Sequence, residues 1–281
     1  MHFWQAALLG IVEGLTEFLP VSSTGHLTIV ERLLGMRVDD AGTTAFTAII
    51  QVGAIIAVIV YFRSDIARLI SAFVRGLRSP ETRDSVDYRL AWCVILGSIP
   101  VGVVGFLARD VVSGSLRSLW VVAAALIGWS AVMVFAERFS ARRARTRGEQ
   151  ELTLRDAMWI GVLQCVALVP GVSRSGATIS TGLLRGLDRV TATRVSFFLS
   201  VPALTAAGAY EALSAGKDVS ASVGWGPTLL GTLVSLVVAY AAIAWLLRFV
   251  AQHPISVFAG YRIALGVVLV VLLGVGAVTP V

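Results

Sequence analysis

Six stretches of this chain are apolar for long enough to cross a lipid bilayer, and that excludes most folds. They run over about 44–62, 90–108, 118–137, 191–213, 227–249 and 256–277, each near the roughly 20 residues a spanning helix needs. Inside hydrocarbon every backbone amide must find its partner within its own segment, so such stretches fold as helices. Composition agrees: 57% of the 281 residues are hydrophobic and 14% charged, against about a quarter charged in a soluble domain. The expected class is an all-α polytopic membrane protein, one membrane domain over residues 1–281. The net charge of +6 does not point to nucleic acid. The basic residues fall in short gaps between apolar runs, where they report orientation. Cys93 and Cys165 lie in apolar sequence without a CxxC and read as buried structural thiols. The first segment lacks a basic leader, so a cleavable signal peptide is not expected.

Two further apolar segments break in the middle. Residues 3–19 stop at Pro20 and Ser-Ser-Thr-Gly, and a short apolar run, 27–35, follows. Residues 156–169 stop at Pro170-Gly171 and Ser-Arg-Ser-Gly, and 177–184 follows. Helix, break and shorter helix, with apolar sequence on both sides, describe two re-entrant helix hairpins. If each hairpin returns to the side it entered from, the gaps sort into two groups. Gaps 63–89, 138–155, 185–194 and 248–255 hold sixteen basic residues; gaps 31–43, 109–117 and 214–226 hold five. The positive-inside rule then places the first group in the cytoplasm and both termini outside. The first hairpin enters from outside, the second from inside.

That topology predicts an inverted repeat, and a shift of 151 residues reveals one. Gly10 falls on Gly161, Val21 on Val172, Ser22 on Ser173, Gly25 on Gly176 and Phe46 on Phe197. "GIVEGLTEFLPVSSTG" aligns without gaps onto "GVLQCVALVPGVSRSG". Residues 1–137 form the first repeat, a hairpin plus three spans, and 156–281 the second, with opposite orientation. The expected architecture is an inverted-topology repeat of six transmembrane helices plus two re-entrant hairpins that meet near the midplane.

The breaks carry the polar chemistry. Glu13 and Glu17 are four apart and share one helix face. Set among Ile11, Val12, Leu15, Phe18 and Leu19, they suit a hard divalent cation or an acid/base pair. Pro20 ends the helix. Ser22, Ser23 or Thr24 can cap the next one, whose N-terminus with Gly25 suits anionic oxygens. His26 can serve as acid, base, ligand or nucleophile. The second break supplies a cation: Ser173-Arg174-Ser175-Gly176 sets a guanidinium at membrane depth, where it needs an anionic partner. That partner is Glu13 or Glu17 in a structural ion pair, or a phosphate bound bidentately. Gln51, inside the span "AIIQVGAII", either lines the same cavity or bonds a neighbouring helix.

"EGLTEFLPVSSTGHL" and "PGVSRSGATIS" closely resemble the two signature motifs of bacterial undecaprenyl-diphosphate phosphatases, the BacA type associated with bacitracin resistance. The resemblance runs the full length of the chain, "AFTAIIQVGAIIAVIVYF" included. It implies an inner-membrane enzyme that removes the terminal phosphate of undecaprenyl diphosphate and so recycles the lipid carrier for envelope polymers. It also implies dependence on a divalent cation such as Mg²⁺ or Ca²⁺, and a site opening to the periplasmic side. By motif match Ser23, Glu17, His26 and Arg174 are the catalytic set, with Ser23 as nucleophile. Ser22, Thr24, Gly25, Ser173, Arg174, Ser175 and Gly176 hold phosphate, and Glu13 with Glu17 hold the metal. The partners are the lipid substrate and the bilayer, without nucleic acid; a homodimer is left open. His26 or a metal-bound water as nucleophile are the alternatives. The rival class is a polyprenyl-phosphate flippase, because inverted repeats with broken helices are also the transporter plan.

Overall fold

The computed structural model describes residues 1–36, 40–108, 111, 116, 118–218 and 223–279. Among them are eleven α-helices and no β-strand. They are α1 (Phe3–Thr16), α2 (Ser23–Leu33), α3 (Ala41–Tyr61), α4 (Arg63–Arg78), α5 (Val86–Leu107), α6 (Leu119–Ala141), α7 (Leu154–Gln164), α8 (Arg174–Leu184), α9 (Arg189–Asp218), α10 (Trp225–Gln252) and α11 (Ser256–Gly274). Six are long and apolar enough to cross a membrane: α3, α5, α6, α9, α10 and α11. They coincide with the six apolar runs of the sequence.

The two broken segments fold as two helix pairs, α1 with α2 and α7 with α8. Leu19 precedes a proline and is disfavoured in a helix, so α1 already stops at Thr16 and a turn carries Glu17 to Val21. After α7 a 3₁₀ turn, Cys165–Leu168, leads to the second break.

The two pairs match in detail at a spacing of 151 residues. At the start of α1, Gln5 Oε1 accepts from the His2 amide at 2.9 Å; at the start of α7, Asp156 Oδ2 accepts from the Thr153 amide at 3.2 Å. α1 packs along α10 and α7 along α5. At both crossings glycine lets two backbones touch: a Cβ on Gly10 would strike the Gly231 carbonyl, and one on Gly161 the Gly97 carbonyl. Close backbone approach of this kind is what holds helices together where lipid is as apolar as leucine. α3 packs on α9, and α6 on α11. The core beneath the breaks is aromatic: Phe18 meets Phe197 edge-on at 5.3 Å, and Phe62 meets Phe198 at 5.2 Å.

One element departs from the sequence reading, which treats 63–89 as a basic gap. Most of that gap is the amphipathic helix α4. Leu69, Ala72 and Gly76 face inward, and the Tyr88 ring lies against Gly76. Ile66, Leu69, Phe73 and Gly76 recur at helical spacing, but arginines interrupt them and no window is apolar enough to read as a span.

Ion pairs join three of the arginine-rich gaps on one face of the molecule, and the Ile255 amide ties the fourth to them. Arg147 and Arg185 both reach Asp156 at 2.9 Å. Arg189 Nε donates to Glu137 at 2.7 Å, and Glu137 accepts from the Ile255 amide at 2.9 Å. Arg194 bridges Glu149 at 2.7 Å and Asp65 at 3.2 Å, and Arg68 holds Asp65 and Asp87. Burial alone would raise the Asp156 carboxyl, which lies outside the six spans. Hydrogen bonds from Arg147, Thr153 and Arg185 outweigh it and bring the pKa down to about 2.

Candidate active site

Both breaks turn on a serine in the left-handed region. Ser22 (φ 77°) and Ser173 (φ 76°) are the non-glycine residues with positive φ among those described. Such backbone costs on the order of 1–3 kcal/mol and persists only where its surroundings enforce it. What the strain achieves is local. Ser22 Oγ accepts from the Gly25 amide at 3.4 Å, and Ser173 Oγ accepts from the Gly176 amide at 3.1 Å. Each serine thus caps an eleven-residue helix, as the hydroxyl run predicts.

The breaks are also bonded to each other. The Gly171 amide donates to Ser22 Oγ at 3.2 Å, and Ser175 Oγ donates to the Leu19 carbonyl at 2.9 Å. Beneath both lies Arg262 of α11, fully buried, donating to the Pro20 carbonyl at 3.1 Å and the Gly171 carbonyl at 2.9 Å.

Across this seam the reactive groups line up. Ser23 Oγ donates to Glu17 Oε2 at 2.6 Å. Glu17 Oε1 accepts from Arg174 at 3.3 Å. Arg174 also donates to the Ser196 carbonyl at 3.2 Å and lies over the Phe18 ring at 5.8 Å, and its Nε is without a partner. A hydroxyl, a carboxylate and a guanidinium therefore form one string built from both breaks.

The string ends a cavity of about 800 Å³. Glu17, Ser22, Ser23, Thr24, Gln51, Gln164, Ser173 and Arg174 form its polar end; Ile95, Ile99 and Phe106 of α5 and Pro202, Leu204 and Ala207 of α9 line the rest. Polar head and apolar body are what an amphiphile requires of a site. Gln51, left open between two readings, lines the cavity.

Two residues grouped with the site in sequence take other places. His26 bonds the Ser22 carbonyl through Nδ1 at 2.8 Å and Tyr261 through Nε2 at 2.6 Å; it is not among the residues lining the cavity. Glu13 is buried with Oε1 unpartnered, and Glu17, Glu31 and the Arg174 guanidinium are near enough to act on its charge. An orphaned carboxylate oxygen beside a second carboxylate fits a hard divalent cation, which prefers oxygen donors and fills its remaining positions with water or phosphate. No group of three or more His, Cys, Asp or Glu stands ready for a metal among the described residues.

Residues not singled out in sequence complete the site. Ser196 holds Arg174, Gln164 stands where the 151-residue shift puts the counterpart of Glu13, and Arg262 and Tyr261 come from the last helix. Arg262 alone carried a signal, as an ionisable residue inside an apolar run.

Comparisons with known proteins agree along the chain. The family model for bacitracin resistance protein BacA matches residues 6–268. The chain is 56% identical over 279 residues to undecaprenyl-diphosphatase 3 of Frankia casuarinae, with 99% of both chains covered. It is 55% identical over 286 residues to the undecaprenyl-diphosphatase of Cutibacterium acnes, with 99% of this chain and 100% of that one covered. To undecaprenyl-diphosphatase 1 of Streptomyces coelicolor it is 56% identical over 273 residues, covering 97% and 96%.

Proposed function

The chain belongs to the bacitracin resistance protein BacA family, and from that premise we propose that it hydrolyses undecaprenyl diphosphate to undecaprenyl phosphate and inorganic phosphate. The observation that carries the reading is the string of Ser23, Glu17 and Arg174 at the polar end of a cavity whose remainder is mostly apolar. The diphosphate lies against the string and the prenyl chain along α5 and α9.

Ser23 Oγ attacks the terminal phosphorus while its proton passes to Glu17 Oε2, already 2.6 Å away. The bond from that phosphorus to the bridging oxygen breaks, and undecaprenyl phosphate leaves with the proton that Glu17 gives up. Water then attacks the phosphoserine with Glu17 taking its proton and passing it to Ser23 Oγ, which releases inorganic phosphate and restores both Ser23 and the Glu17 carboxylate. Arg174, with Nε open, holds equatorial oxygens, and the first turn of α2 points amides at the same charge. Phosphoryl transfer is mainly positioning and charge neutralisation, which this set supplies. A divalent cation held by Glu13 and Glu17 adds further neutralisation of phosphate charge when bound. With both ring nitrogens engaged, His26 is assigned to orienting the break rather than to attack.

We also infer that 1–137 and 156–281 are inverted repeats and that α1–α2 and α7–α8 are re-entrant. The matched serine caps, the Gly10–Gly231 and Gly161–Gly97 crossings and the shared face of the arginine-rich gaps support this. The arginine bias places that face in the cytoplasm and the first break, with both termini, outside. Nothing in the site favours the flippase, which needs no nucleophile paired to a base.

The test is free-phosphate release from undecaprenyl diphosphate by detergent-purified protein, with added divalent ion and with chelator. Wild type is expected to release one phosphate per lipid and Ser23→Ala essentially none. Absence of release by wild type, with lipid transport in liposomes, would overturn the reading.

A further inference from the structure

Arg262 is an unusual residue to bury. It is fully enclosed and is the largest of the fully buried side chains among the described residues. No carboxylate lies within ion-pair distance of it among the described residues. Every partner is neutral: Ser130 Oγ at 3.1 Å, and the carbonyls of Pro20 at 3.1 Å, Gly171 at 2.9 Å and Ala125 at 3.4 Å. Burying a cation without a counter-charge is costly, so a residue kept in that state points to what its geometry achieves.

Two of the four partners stand out. Pro20 and Gly171 are 151 residues apart and occupy the same place in the two breaks, one residue before Val21 and Val172. A broken helix leaves carbonyls without amide partners, and here one from each break points at the same guanidinium. The planar fork, with its donors in fixed directions, binds both at once. Lysine, a point donor on a flexible stem, cannot reproduce that span.

We infer that Arg262 is a positioning residue: by binding the Pro20 and Gly171 carbonyls together it sets the register between the break that carries Ser23 and the break that carries Arg174. This rests on the phosphatase reading above. Ser23 follows Pro20 by three residues, and Arg174 follows Gly171 by three. A shift of one break against the other thus moves nucleophile and phosphate-holding cation apart. Errors of about 1 Å in such alignment cost on the order of 100-fold in rate, while a lipid whose long chain lies along α5 and α9 keeps most of its binding.

The test compares Arg262→Lys with Ser130→Ala in the phosphate-release assay, with thermal unfolding followed on the same samples. Ser130→Ala removes a contact of the guanidinium that touches neither break. Arg262→Lys is expected to lower kcat about 100-fold with KM changed less than about threefold, and Ser130→Ala to leave both within about threefold. The inference is overturned if Arg262→Lys keeps kcat within about threefold of wild type. It is overturned equally if the loss appears in KM. It is also overturned if Ser130→Ala lowers kcat as deeply as Arg262→Lys does, or if Arg262→Lys gives no folded protein, since Arg262 is then a structural brace. An inactive wild type would instead refute the phosphatase reading and is separated by that control.

Discussion

The two breaks share a backbone and divide a chemistry. Each has a serine at positive φ, a cap onto an amide three residues on, and an eleven-residue helix beyond. Their surroundings differ. In α8 every residue from Ser175 to Leu183 is buried; in α2 only Gly25, Leu27 and Glu31 are. The first break carries Glu13 and Glu17 where the second has Gln164 and Leu168, and the second carries Arg174 where the first has Ser23. A repeat whose halves were chemically equal would place two nucleophiles or two cations on the seam. Divergence gives one of each. The buried half mounts the Arg174 cation, and the more open half presents the Ser23 hydroxyl and the Glu17 carboxylate to the cavity.

The comparison breaks most completely at the nucleophile. Ser23→Ala is expected to lower turnover by about 10⁴-fold or more, and mass spectrometry of rapidly quenched wild type should find phosphate on Ser23 and not on His26. Next is the mount: Arg174→Ala should lose about 10³-fold, the range seen when a transition-state arginine is removed. Glu13→Gln makes the first break resemble the second at that position. It should raise the divalent-ion concentration for half-maximal activity by about 10-fold or more, within the range for lost support at a metal site. His26→Ala, which loses its bonds to Ser22 and Tyr261 and its stacking on the Tyr261 ring, should cost less than about 10-fold; a loss as deep as that of Ser23→Ala would return it to the catalytic set.

The smallest effect concerns the base of the second pair. Asp156 is held by Arg147 and Arg185 where the first pair has Gln5. Its carboxyl sits near 2 in the folded protein, against a usual value of 3.8. A depressed folded pKa contributes stability above the unfolded value that fades as pH falls toward the folded one. Melting curves of wild type and Asp156→Asn should therefore differ at pH 7 and converge as pH drops from about 4 to about 2. An unchanged gap over that window would mean the ion pairs do not anchor this helix.

How much of this was legible in sequence follows from distance along the chain. The spans and both breaks could be read because their signals are local: apolar length, Pro20, Pro170-Gly171 and the hydroxyl runs. The arginine-rich gaps could be picked out because charge is local in sequence, and the ion pairs of Arg194 with Glu149 and Asp65 bring three of them together. Helix α4 escaped because its apolar stripe is diluted by Arg63, Arg68, Arg75 and Arg78, a pattern that total hydropathy hides. Arg262 escaped because its partners are backbone carbonyls 242 and 91 residues away, and a carbonyl leaves no mark in sequence. Adjacency of His26 to Ser22 and Ser23 suggested a shared site; four residues along α2 its ring bonds Tyr261, a partner that the sequence does not announce.

The central claim is that neither break suffices and that Arg174 completes a site whose nucleophile lies on the other. Phosphate release from undecaprenyl diphosphate by folded Arg174→Ala, measured beside wild type, tests it most directly. The account predicts turnover about 10³-fold below wild type with thermal stability retained. Turnover within about threefold of wild type would contradict it.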